Sequence, residues 1–84
     1  MIGDDEVVAA TFKLLHARAP DATICPSEVA RALAPDQWRP LMPLVRSVAI
    51  DLARGGRVVL SQRGNTLSLD TEVVGPIRIA LPNT

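Results

Sequence analysis

Apolar residues recur at helical spacing three times along the chain and then give way to alternation. Over residues 4–18, Val8, Phe12 and Leu15 share one helical face, with Val7, Leu14 and Ala17 widening it. Acids at the start of this run (Asp4, Asp5, Glu6) and Lys13, His16 and Arg18 toward its end match the helix macrodipole. Ala19-Pro20-Asp21 breaks the helix, and Thr23-Ile24 is long enough only for a very short strand. Cys25-Pro26-Ser27-Glu28 reads as a helix start: Pro occupies the first helical position, and Glu follows a capping position by three residues. Val29, Ala30 and Leu33 give that second helix a narrow apolar stripe, and Ala34-Pro35-Asp36 turns the chain.

A third helix is expected to begin between Gln37 and Leu41. Its core face is Leu41, Val45, Val48 and Leu52, with Leu44 and Ala49 beside it, and Gly55-Gly56 stops it. Two strand-like runs follow, 57–62 and 66–70, joined by Arg63-Gly64-Asn65 as a hairpin turn. Gly75-Pro76 marks a tight turn, after which Ile77, Ile79 and Leu81 alternate with Arg78 and Ala80 as a last strand or an extended segment on the core. This order predicts an α+β winged helix over residues 1–84: three helices plus a two- or three-stranded antiparallel β-hairpin sheet.

Composition narrows the function classes. A chain of 84 residues has room for one modest core. Because 48% of residues are hydrophobic but only 2% aromatic, that core must be Leu, Val, Ile and Ala. No apolar run approaches the ~18 residues that span a bilayer, so no membrane partner is expected. An acidic N-terminal run is unlike a signal peptide, and the single cysteine cannot form an intramolecular disulfide. A cytoplasmic location is the natural expectation.

Net charge is zero but unevenly placed. Residues 1–36 set Asp4, Asp5, Glu6, Asp21, Glu28 and Asp36 against Lys13, Arg18 and Arg31, a net of −3. Residues 37–63 set Arg39, Arg46, Arg54, Arg57 and Arg63 against Asp51, a net of +4. The third helix and the hairpin are therefore the basic part of a neutral protein, which permits a polyanion partner without demanding one.

Catalytic chemistry finds few candidates. One His, one Cys and no Tyr make an enzyme an unfavourable reading, and no catalytic residue, cofactor or metal ligand set is assigned. Cys25 at a helix N-terminus has the position of a low-pKa thiol, but a packed capping residue is the simpler account. His16 has no second His or Cys at ligand spacing. Ser27 beside Glu28 is a helix cap rather than a nucleophile with its base. Arg31 and Arg78 are expected to pair with Glu28, Asp36 or Asp70, and Arg46 has the option of bonding a nearby carbonyl.

The runs Cys25-Pro26-Ser27-Glu28-Val29-Ala30-Arg31, Trp38-Arg39, Leu41-Met42, Val45-Arg46, Ala49, Leu52-Ala53, Gly55 and Gly75-Pro76-Ile77-Arg78 span nearly the whole chain. Together they resemble a small bacterial family defined only as a domain of unknown function. The resemblance implies a winged-helix-like fold and a bacterial, cytoplasmic origin. It brings no catalytic residue, cofactor or substrate.

Two functional readings follow. In the first, a nucleic-acid-binding or regulatory module contacts duplex DNA or another polyanion through Arg39, Arg46, Arg54, Arg57 and Arg63. Arg39 and Arg46, seven residues apart, share a helical face opposite much of the apolar stripe, and phosphates tolerate varied geometry. Against base reading, Pro40 and Pro43 remove N–H donors near the start of that helix, and a pI near 6.5 is low for a DNA-binding domain. In the second, a non-catalytic interaction or dimerisation module seats a protein partner or a second copy on Trp38, Leu41 and Met42. An exposed indole would favour that interface, and a buried one a structural cap over the core.

Overall fold

The apolar spacings resolve into three helices, α1 (Asp4–His16), α2 (Pro26–Leu33) and α3 (Trp38–Arg54), and four strands, β1 (Thr23–Ile24), β2 (Val59–Gln62), β3 (Asn65–Thr66) and β4 (Arg78–Ala80). The structure, a computed structural model, describes residues 2–70 and 72–82. The strands form one antiparallel sheet in the order β1-β4-β2-β3, making an α+β fold.

α1 buries Val7, Thr11 and Leu15, a face rotated by about one residue from the expected one. Val8 and Phe12 are only half-buried at its edge. The rotation is possible because Thr11 satisfies its hydroxyl locally, donating to the Val7 carbonyl one turn back at 2.7 Å. A polar residue whose hydrogen bond closes within the helix can then be packed like an apolar one.

α2 starts as its sequence requires. Pro26 occupies the first helical position, and the Glu28 carboxylate accepts the Cys25 backbone N–H at 2.7 Å. The same carboxylate pairs with Arg18, just beyond α1, at 2.5 Å. This pairing was not foreseen, since Arg31 and Arg78 were the expected partners. Arg31 instead lies over the Trp38 ring, 4.3 Å from its centroid. Arg78 donates from Nε to Thr23 Oγ1 at 2.9 Å and from a guanidinium nitrogen to the Thr23 carbonyl at 3.0 Å.

α3 absorbs both of its prolines. Pro40 lies in the first turn, where its missing N–H costs no intrahelical bond; Pro43 lies one turn further in and leaves the Arg39 carbonyl without its i+4 donor. The C-terminus closes with a Schellman pair: Gly56 donates to Ala53 at 3.0 Å and Arg57 to Leu52 at 2.9 Å. That closure needs a left-handed residue, and Gly56 supplies it at φ 75°. Val45, Val48, Ala49 and Leu52 are buried, whereas Leu41, at the first turn, is half-buried like Leu33 and Phe12.

The sheet departs most from expectation. β2 and β3 pair only through Ser61–Thr66 and Gln62–Asn65, so the hairpin arm expected over 66–70 ends almost at once. Its loop is Arg63-Gly64 alone, and both residues have positive φ, 54° and 82°, as a type I′ turn requires. One further bond, Leu67 N–H to the Leu60 carbonyl at 2.9 Å, follows before the chain leaves the ladder. Leu67 and Leu69 then pack against the core from an unpaired stretch that turns at Leu69-Asp70, although their spacing carries the same period-2 pattern as a paired strand. The long partner of β2 is β4, with Leu60 opposite Ile79 and Ile79 opposite Ile24; all three are buried.

The core thus unites Val7 and Leu15 of α1, Val29 and Ala30 of α2, the α3 stripe, Val58, Leu60, Ile24, Ile77 and Ile79. Val48 is 4% exposed within it. Val48→Asp is expected to abolish the cooperative melt, because an unpaired buried charge costs several kcal/mol against a total of about 5 kcal/mol. A folded variant with an unchanged melting temperature overturns the assignment of this face.

Glu28 makes a second test. Its carboxyl is held below the usual carboxylate range, first by the Arg18 hydrogen bond, then by the Cys25 N–H and the Arg78 charge, against the opposing effect of partial burial. A depressed folded-state pKa contributes stability that is fully present above the unfolded value of about 4.3 and is lost as pH falls through the folded value. The melting-temperature advantage of the native protein over Glu28→Gln should therefore be constant from neutral pH down to about 5 and shrink below about 4.3. A pH-independent difference between the two proteins would refute the ion pair.

Candidate nucleic-acid interface

The face of α3 turned away from the core carries Arg39, Pro43, Arg46, Ser47, Ile50 and Arg54. Three of these are arginines, set by the helical repeat along one side. Arg46 is half-buried and donates to the Val73 carbonyl at 3.4 Å, reaching the segment that leads into β4. Gln62, at the end of β2, holds the same segment from the other side, donating to the carbonyls of Val74 at 2.6 Å and Pro76 at 2.9 Å. Gly75 lies between those two acceptors at φ 81°, and a Cβ there would stand 3.2 Å from Gln62 Nε2. Glycine is therefore favoured by its conformation, and any Cβ there would also make Gln62 give way by a few tenths of an ångström.

This clamp joins α3 to the hairpin. Arg46 bonds Val73 and Gln62 bonds Val74, so the 73–74 segment links α3 to the residue that precedes Arg63, at the exposed tip of the β2–β3 turn. Arg63 and Arg78 line an open groove of about 810 Å³ between the hairpin and the 74–78 segment, where Val74 stands 65% exposed. Arg78 is already engaged by Thr23, whereas Arg63 forms no ion pair or side-chain hydrogen bond among the described residues.

The other arginines are placed differently. Arg57 lies over the Phe12 ring, 4.8 Å from its centroid, and lines a groove between α1 and α3 with Asp4 and Asp51. It therefore faces α1, across acidic neighbours. Arg54 approaches Asp51 at 4.0 Å with both side chains more than half exposed, a contact of the kind worth little in water. Arg39 stacks over Trp38 at 5.0 Å, on a ring that Arg31 also covers. Arg39, Arg46 and Arg54 share the outer face of α3, Arg63 lines the separate groove beside the hairpin, and Arg57 faces α1.

Trp38 is half-buried against the core with guanidinium groups on its ring, an intermediate between the two environments expected of it. Met42 lines a shallow groove of about 540 Å³ with Pro43, Ile50 and Arg54 on the same outer face of α3. The residues that sequence reasoning missed are Gln62, which fixes the loop, and Arg18, which anchors α2. Neither carries a local signal, because each acts on a partner ten or more residues away.

The remaining chemistry is sparse. Cys25 Sγ accepts a hydrogen bond from Ser27 Oγ at 3.1 Å, with Glu28 bonded to the Cys25 N–H, so Ser27 and Glu28 both serve the helix start. Among the described residues, no three His, Cys, Asp or Glu side chains gather as a metal site, and every buried side-chain nitrogen or oxygen has a partner. No helix of the described residues is long and apolar enough to cross a membrane.

A comparison with curated proteins finds no match. The model of a family described as protein of unknown function (DUF3253) matches residues 4–82, from the first residue of α1 to the last described residue, and the chain belongs to that family.

Proposed function

We propose that the chain is a non-catalytic winged-helix module that holds duplex nucleic acid across the outer face of α3 and the β2–β3 hairpin. The winged-helix reading draws on the helix–turn–helix formed by α2 and α3 and on the antiparallel β1-β4-β2 sheet behind it. In it, the hairpin with its Gln62-clamped loop is the wing, and α3 is the helix presented to the groove.

The observation that carries the reading is Arg63. It occupies a left-handed position at φ 54°, beside Gly64 at φ 82°, where Asn or Gly fits at lower conformational cost. A cation held at an exposed tip in strained backbone, on a hairpin linked to the Arg39, Arg46 and Arg54 face through the 73–74 segment, suits phosphate contact. The grip comes from side chains, because Pro40 and Pro43 leave the start of α3 short of N–H donors for an anion. Such binding is weak, salt-sensitive and indifferent to base sequence.

A protein-interaction module is the second reading, favoured by the Met42–Pro43–Ile50 groove on that same face. The two are separated by measuring duplex affinity over a salt series for the native chain and for Arg63→Asn, Arg54→Gln/Arg63→Asn and Arg57→Gln. Arg63→Asn should raise the melting temperature, by an amount equivalent to several tenths of a kcal/mol or more, since Asn-Gly suits a type I′ turn. It should at the same time weaken binding. The double variant should lose roughly 0.9 of log–log salt slope per phosphate contact removed, and Arg57→Gln should keep the native slope. Absence of binding at low salt, or a double variant with native affinity and slope, refutes the nucleic-acid reading.

A further inference from the structure

α1 and α2 leave an apolar groove of about 490 Å³ on the side of the molecule that faces neither α3 nor the hairpin. Its floor and walls are Ala9, Ala10 and Leu14 of α1 and Leu33 of α2. Glu6 and Lys13 stand at its rim, one on each side of the alanines. They are seven residues apart on one helical face, a separation of about 10 Å along the axis.

The two rim charges lack the partners that neighbouring charges have. Arg18 is bound to Glu28, and Arg31 lies on Trp38. Glu6 has one exposed contact, accepting the Gly3 N–H at 3.3 Å, and Lys13 forms no ion pair or side-chain hydrogen bond among the described residues. Opposite charges placed symmetrically about a pair of alanines form a self-complementary pattern. A second copy rotated by a two-fold axis passing near Ala9 and Ala10 brings its Lys13 to Glu6 and its Glu6 to Lys13.

We infer that this groove is the dimerisation surface of the chain and that its occupant is a second copy, joined through antiparallel α1 helices. An isologous contact of this kind uses the same patch twice and closes on itself. The alanines let the two helix backbones approach closely, while Leu14 and Leu33 give the apolar area that the charges at either end put in register. The inference is independent of nucleic-acid binding, since no residue of the groove lies on α3 or the hairpin.

Sedimentation equilibrium and native mass measurement over a dilution series test it, with circular dichroism as a check on folding. The native chain should show a species of twice its 9.0 kDa mass. Glu6→Lys and Lys13→Glu should each shift the equilibrium to monomer, roughly tenfold or more in dissociation constant, because each sets like charges opposite one another. The double reversal Glu6→Lys/Lys13→Glu should restore the dimer, as it restores complementarity across the axis. Ala9→Gln, an exposed change to a good helix former, should leave the fold intact and block the close approach. A native chain that stays monomeric throughout, a dimer that survives either single reversal and Ala9→Gln, or a double reversal that fails to restore association overturns the inference.

Discussion

The architecture depends on Ile79. It sits in β4 opposite Ile24 on one side and Leu60 on the other, and these three buried side chains hold the N-terminal and C-terminal halves in one sheet. β1 is two residues long and, among the described residues, has no other strand beside it. Without β4 its backbone groups would be exposed and Ile24 would lose its covering. Arg78, the neighbour on the opposite face, adds bonds from its guanidinium to Thr23 and pins the same register. A slip of one residue would put Arg78 where Ile79 is buried, so the alternation of this short strand specifies its pairing strongly.

That register also explains the path of the chain between β3 and β4. Since β4 takes the edge of β2 beside β1, the chain after β3 must travel back across the molecule before entering it. The segment 72–77 makes this return beside α3, without ladder bonds of its own. Its carbonyls are instead taken by Arg46 at Val73 and by Gln62 at Val74 and Pro76. The Gly75-Pro76-Ile77-Arg78 run is then four different requirements in sequence: a left-handed turn close to Gln62, an acceptor, a buried apolar residue, and a guanidinium for Thr23.

Helix positions, the Cys25–Glu28 start and the Gly stop of α3 were legible because each is decided within one or two turns of chain. Phe12 and Leu41 were expected inside and are half-buried, since an apolar face does not say where along it the neighbouring element ends. Thr11 was hidden by its polarity, and the early end of β3 by an apolar alternation that an unpaired stretch keeps as well as a paired one. For the candidate site, the list of arginines could be read but their surroundings could not. Whether Arg57 meets a phosphate or the Phe12 ring depends on where α1 crosses, which no local pattern encodes.

Placement matters more than number here because the chain has no net charge to attract a polyanion from a distance. At physiological salt, exposed charges are screened beyond about 8 Å, so the acidic α1 side does little to oppose contact at α3, and the basic side does little to steer it. On the proposed reading, affinity would have to come from the few guanidiniums free to reach phosphate. Arg46 gives part of its bonding capacity to Val73, and Arg39 shares its face with Trp38. One copy thus offers a small set of contacts, and strengthening them within the chain would mean releasing arginines that hold the loop and cover the ring. If both proposals hold, joining two copies would avoid that conflict: the second set would bind at the effective concentration fixed by the dimer, with every internal arginine contact left in place.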